Sequence, residues 1–235
     1  MTSMENVVRR RRSVTFMPAS SVLATLLLLL VPKVMAQPVE GPCTIAARDL
    51  AVPDCSRCHG EGGVGRATDG YPRLAGLSAA YLERQLRLFR DGERQNSEMG
   101  EVARQLTDDA GRALAACYAG LATPKPDDYE MFEASFLATG EHLASVGRWA
   151  DNLPACNQCH GPQGVGVGEV FPRLAGQRFE YIENQLRAWR EGHRSGDPLS
   201  LMGTVAVRLE EADIRAVAAY YASLPVRNVE QDAQR

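Results

Sequence analysis

The chain has 235 residues, 45% hydrophobic and 23% charged, which suits one large or two small globular domains and excludes a wholly disordered protein. Its formal charge is −3 at pH 7 and no basic stripe runs along it, so the composition gives no footing for a nucleic-acid partner. Six cysteines and four histidines are the residues that demand a chemical explanation.

The N-terminus reads as an export signal over residues 1–36. Arg9 to Arg12 form a basic run, Ser21 to Val31 an apolar one, and Val34 to Ala36 a small-residue cleavage site. As a membrane anchor the apolar run is too short, since spanning takes about 20 apolar residues and Pro32 and Lys33 interrupt it. Removing residues 1–36 takes away five basic residues and one acidic residue, moving the formal charge from −3 to −7. All six cysteines survive that cut and enter an oxidising compartment, the periplasm, where unpaired thiols are unusual.

The remainder is a duplication. "CSRCHGEGGVG" (55–65) returns as "CNQCHGPQGVG" (156–166), and "YPRLAGLSAAYLERQLRLFRDGER" (71–94) as "FPRLAGQRFEYIENQLRAWREGHR" (171–194). "EMGEVARQLTDDAGRALAACYAGL" (98–121) returns as "LMGTVAVRLEEADIRAVAAYYASL" (201–224). The offset drifts between 100 and 103, which puts the insertions in loops. Domain boundaries follow at 37–121 and 129–225, with a Pro-containing linker at 122–128 and a tail at 226–235.

Within each copy the apolar spacing is helical. Tyr81, Leu82, Gln85, Leu86 and Phe89 form one stripe, with Ser78 as N-cap and Gly92 as stop. Ile214, Val217, Ala218, Tyr221 and Leu224 form another, ended by Pro225. Alternating strands and hairpin signals are missing, so the expectation is all-α.

Three chemistries use C-x-x-C. Structural zinc needs four ligands, which one copy cannot supply alone. A dithiol redox site needs a strand-to-helix setting. Covalent attachment of haem c uses both thiols and the following histidine as the proximal iron ligand, and only this chemistry explains the histidine at its fixed offset. The expectation is two haem c groups, one on Cys55, Cys58 and His59, the other on Cys156, Cys159 and His160.

Elimination points to the opposite axial ligands. Outside the signal the methionines are Met99, Met131 and Met202; Met99 and Met202 match in the repeat, each before a glycine, whereas Met131 has no counterpart and reads as core. His142 and His193 are unmatched and read as surface residues. In "PRLAG" the carbonyls of Pro72 and Pro172 are candidate acceptors for the ligand histidines' second N–H. Arg73 and Arg173 either pair with haem propionates or are solvated arginines on a turn.

These motifs resemble class I cytochromes c, and their pairing resembles the dihaem cytochrome c4 family from about Pro42 to Pro225. The resemblance implies two tandem class I cytochrome c domains, each wrapped around one covalently attached haem. It also implies an electron carrier, without substrate chemistry of its own, passing single electrons between respiratory partners towards a terminal oxidase. The alternative is a dihaem subunit of a periplasmic dehydrogenase oxidising a sulfur compound or an alcohol. Redox proteins are the expected partners under either reading: an oxidase, a cytochrome complex or a dehydrogenase, with peripheral membrane association as a further option. If first and last helices pack as in that fold, Cys43 and Cys117 are placed for a disulfide; otherwise they are two buried thiols.

Overall fold

Local signals set the helix ends in the computed structural model, which describes residues 42–49, 54–66, 69–123 and 132–226. Copy one contains α1 (Pro42–Asp49), α2 (Ser56–His59), α3 (Ala79–Asp91), α4 (Ser97–Gln105) and α5 (Asp108–Ala119). Copy two repeats the order as α6 (Ala134–Ser145), α7 (Asn157–His160), α8 (Phe179–Arg190), α9 (Leu201–Ala206) and α10 (Glu211–Ser223). Among the described residues there are isolated bridges but no strand. The export signal, residues 124–128 of the linker, Met131 and the tail beyond Val226 lie outside the described residues.

Ser78 accepts a hydrogen bond from the Tyr81 N–H and Gly92 turns left-handed, so α3 starts and stops at those two residues. Thr107 caps α5 in the same way through the Ala110 N–H, with Asp108 and Asp109 in the positive first turn. At α10, Glu210 and Asp213 form a reciprocal capping box.

Copy two has the larger continuous core. Ile214, Ala218 and Tyr221 of α10 are fully buried against Leu143 and Ala144 of α6 and Ile182 and Leu186 of α8. The crossing of α6 and α10 needs Gly140, where a Cβ would sit 2.1 Å from the Ala216 carbonyl oxygen. Copy one divides into two smaller clusters, and there α1 is tied to α5 by a disulfide between Cys43 and Cys117, whose Cα atoms are 5.7 Å apart.

Both copies belong to one compact unit. Arg94 and Arg194 face each other in an antiparallel bridge, with the Gln95 N–H on the His193 carbonyl (2.8 Å) and the Ser195 N–H on the Glu93 carbonyl (2.7 Å). At a second seam Gln177, 3% exposed, accepts from the Arg73 N–H (2.7 Å) and donates to the Arg73 carbonyl (2.9 Å). Its counterpart in copy one is Leu77, so this seam lacks the symmetry of the first.

Candidate functional site

Each repeated pentapeptide forms one helical turn, α2 or α7, whose final residue is the histidine. His59 and His160 are both 6% exposed. Their Nδ1 atoms lie 3.0 Å from the Pro72 carbonyl oxygen and 2.8 Å from that of Pro172. A carbonyl only accepts, so Nδ1 carries the proton and the Nε2 lone pair is left for a metal. Burial pushes both imidazoles below their ordinary pKa; the carbonyl opposes this, and the nearby Arg94 or Arg194 charge adds to it. Both rings are therefore held neutral, the form that ligates.

The glycine-rich tails fold back against the last helix. Gly63 and Gly164 have φ of 68° and 70°, and a Cβ there would lie 2.7 Å and 2.5 Å from the rings of Tyr118 and Tyr221. Their carbonyls are fixed as well: Leu74 N–H and Leu174 N–H donate to the Gly63 and Gly164 carbonyls, both at 2.8 Å. The "PRLAG" turn is thereby held beneath each histidine.

One cavity per copy results. In copy one Cys55, Cys58, His59 and Met99 share a cavity walled by Leu82, Leu86, Phe89 and Tyr118. In copy two Cys156, Cys159, His160 and Met202 share one walled by Ile182, Leu186, Trp189 and Tyr221. Burial raises the Cys55 thiol and raises that of Cys156 to about 11, with Tyr118 and Tyr221 respectively working against it. Two thiols, a neutral imidazole with its second nitrogen fixed and a thioether, on apolar walls, form a donor set that fits covalently attached haem. Among the described residues no cluster of three or more His, Cys, Asp or Glu is arranged to hold a bare metal ion.

The two "PRLAG" arginines part company. Arg73 is 2% exposed, so the solvated-turn alternative does not describe it. Its Nη2 donates to the Ala175 carbonyl of the other copy at 2.8 Å, and its Nε and Nη1 are buried without a protein acceptor. Burial, then the Arg173 and Arg178 charges, bring it down to about 9. It does not line the copy-one cavity, whereas half-buried Arg173 lines that of copy two and donates Nε to the Val165 carbonyl (3.2 Å). His142 and His193 are exposed.

A polar cluster that helical periodicity did not reveal lies between the cavities. Arg94 donates to Gln85 (2.9 Å), Gln185 (2.6 Å) and the Tyr181 hydroxyl (2.8 Å). Arg194 mirrors it, donating to Gln185 (2.8 Å), Gln85 (2.9 Å) and the Tyr81 hydroxyl (3.1 Å). All six residues are matched in the repeat, and that coincidence of polar residues was the available signal.

No family model matches the chain. It is 47% identical over 185 residues to a thiosulfate dehydrogenase electron acceptor of Thiomonas intermedia, covering 79% of this chain and 85% of the relative. It is 35% identical over 172 residues to cytochrome c4 of Pseudomonas aeruginosa, covering 72% and 83%. Reduced cytochrome c4 from Pseudomonas stutzeri superposes with a TM-score of 0.69 at 30% identity, over 79% of this chain and 100% of that one. A thiosulfate dehydrogenase structure from Marichromatium purpuratum also gives 0.69, at 41% identity over 78% of this chain. The present chain spans only 40% of the length of that protein.

Proposed function

The chain belongs to the cytochrome c4 family of dihaem electron carriers and holds two haem c groups, and from that premise we propose that its electron donor is a thiosulfate dehydrogenase. One observation carries the choice of donor: identity is 47% to a thiosulfate dehydrogenase electron acceptor against 35% to cytochrome c4 of Pseudomonas aeruginosa. The protein works in the periplasm after export and passes the electrons on to a respiratory acceptor such as a terminal oxidase. Among the described residues no helix is long and apolar enough to cross a membrane.

In this reading Cys55 and Cys58 would hold one haem through their thiols and Cys156 and Cys159 the other, with His59 and Met99, and His160 and Met202, as the residues that would ligate the iron. Haem iron supplies reversible one-electron exchange; the rest is the work of the chain. The Pro72 and Pro172 carbonyls fix the histidine rings and strengthen them as donors. A methionine sulfur as second iron ligand would close the iron to small molecules and favour the reduced state. Leucine, phenylalanine and tryptophan walls exclude water from both sites.

The test mixes the oxidised holoprotein with a purified thiosulfate dehydrogenase and thiosulfate and follows the α-band of reduced haem. Both haems should become reduced, faster than in a cytochrome c4 used at the same concentration. A holoprotein that dithionite reduces fully but the dehydrogenase leaves oxidised would remove the proposed donor and leave the carrier in place.

A further inference from the structure

The two copies surround their cavity mouths with different surfaces. In copy one Arg66, Asn96 and Glu98 are exposed there, and Glu98 accepts from the Tyr71 hydroxyl at 3.3 Å. The matched residues of copy two are Val167, Leu199, Leu201 and Phe171, and Val170 stands where copy one has Gly70. Leu199 is 90% exposed and Val167 48%, and neither lines the cavity, so their apolar surface faces outward. Val170, Phe171 and Leu201 do line it, which places the patch at the mouth of the copy-two site. Copy one folds in the same order of elements with polar side chains at these places, so the apolar character answers no requirement of the fold. The backbone also holds Leu199 outside. Leu199 and Ser200 have φ of 57° and 52°, a left-handed pair without a glycine, whereas the counterpart Asn96 is extended at −165°. Copy two thus accepts an unfavourable backbone at the residue that it presents to solvent.

Size and charge narrow the occupant. The patch exposes a few hundred Å² of apolar surface, whereas a lasting dimer covers about 800 Å² on each partner and electron-transfer encounters are smaller. Glu169 lies between Val167 and Val170, and Asp197 two residues before Leu199, so carboxylates flank the apolar centre. A second copy of this chain would set those carboxylates against each other about a twofold axis. A protein with an apolar centre rimmed by lysine or arginine complements both features.

We propose that this face of copy two seats the electron donor, a redox protein whose docking surface is apolar with a basic rim, so that electrons enter the chain at copy two. This rests on the donor reading above and deepens it, naming the surface on which the dehydrogenase docks. Val170 and Leu201 belong both to the patch and to the cavity wall, so a protein seated on them is one side chain away from the copy-two site. Each encounter moves one electron: the partner's cofactor is oxidised by one electron and the copy-two site is reduced by one, with no bond made or broken. The matched face of copy one, with Arg66, Asn96 and Glu98, lacks the apolar centre that such a partner needs.

The experiment follows reduction of the oxidised holoprotein by a purified thiosulfate dehydrogenase with thiosulfate, beside reduction by dithionite, which needs no docking. Leu199→Asn and Val167→Arg each install the residue of copy one, the second also setting a positive charge against the basic rim. Each should slow reduction by the dehydrogenase about fivefold, the loss of one well-placed interface side chain, and leave the dithionite rate and both midpoint potentials at the parent values. Trp149→Ser, which removes a side chain 60% exposed in the loop after α6, should leave both rates unchanged. An unchanged dehydrogenase rate in either patch variant would overturn the dock, as would an equal slowing in Trp149→Ser. A parent dimer in sedimentation that Leu199→Asn dissociates would give the face to a second copy and overturn the proposal. A parent that dithionite reduces and the dehydrogenase leaves oxidised would overturn the donor reading and this dock together.

Discussion

Tyr221 has a partner on each side of its ring: its hydroxyl donates to Asn157 Oδ1 at 2.8 Å, and Gly164 packs against its edge. The glycine meets two constraints at once, a φ of 70° that disfavours any side chain and a space that a Cβ would overfill to 2.5 Å. Gly164→Ala should therefore cost about 1–3 kcal/mol, from the strained backbone and the displaced ring together. Thermal unfolding of the holoprotein measures it, and an unchanged midpoint would show that the ring moves freely. Met202 belongs to the same copy and is half-buried on the cavity wall, with its N–H accepted by Asp197 at 2.7 Å. If its sulfur is the axial ligand, Met202→Ala should let the copy-two haem bind carbon monoxide and lower that haem's potential. The copy-one spectrum should stay as it was, and a variant spectrally identical to its parent would remove Met202 from the ligand set.

Helix α10 begins against the end of α8, where Arg187 Nε and Arg190 Nη2 donate to Glu211 at 2.8 and 2.9 Å. Hydrogen bonds from Arg187 and then Arg190 hold the Glu211 carboxyl down at about 2. A depressed carboxylate adds stability that is present above its ordinary pKa of about 4.3 and is lost as pH falls through the folded value. Glu211→Gln should thus lower the melting temperature at pH 7, with the difference shrinking below pH 4 and vanishing near pH 2. Because the carboxylate is exposed, salt should shrink it too. Copy one has the counterpart contact, Arg90 Nη1 donating to Asp108 Oδ1 at 2.6 Å between α3 and α5, and adds a covalent tie, the α1–α5 disulfide closing 74 residues of chain. That loop is worth about 4 kcal/mol in the chain-entropy account. With the other four cysteines in thioether links, alkylation of the unfolded protein should label none before reduction and only Cys43 and Cys117 after it; four labels before reduction would end the thioether assignment. Helices α3 and α10 were legible in the sequence, since Ser78, Gly92 and the buried stripe Ile214, Val217, Ala218 and Tyr221 are local signals. The pentapeptides and Met99 and Met202 were legible as candidates from the repeat alone. The burial of Arg73, Arg94 and Arg194 was not, because they look like solvent-facing positions on their own turns and contacts from the other copy complete it. Leu88 is a further case: it lies outside the predicted stripe, yet it is 6% exposed because it packs towards Gly196.

At the scale of the whole molecule the repeat suggests two domains that fold separately, while the seams argue for one cooperative unit. Gln177 carries the argument at the asymmetric seam: its side-chain oxygen accepts from the Arg73 and Arg178 N–H groups at 2.7 and 2.9 Å, and its Nε2 donates to the Arg73 carbonyl. Arg178 reaches back across the same seam, with Nη2 on the Gly65 carbonyl at 3.1 Å and Nε on that of Val64 at 3.2 Å. Breaking the copies apart would exchange these bonds, and those of Arg94 and Arg194, for bonds to water, each at a net loss of about 0.5–1.5 kcal/mol. Unfolding one copy alone therefore also costs the other copy its share of the seam. Calorimetry of the oxidised holoprotein should show a single transition whose van't Hoff and calorimetric enthalpies agree. Gln177→Ala leaves both the N–H and the carbonyl of Arg73 without their side-chain partner, which weakens the seam; it also trims the copy-two cavity, which Gln177 lines, and leaves the copy-one pocket intact. In that variant the transition should broaden or divide in two while the copy-one haem spectrum stays unchanged. Two separate transitions in the parent protein would mean that the seam joins the folded copies without coupling their folding.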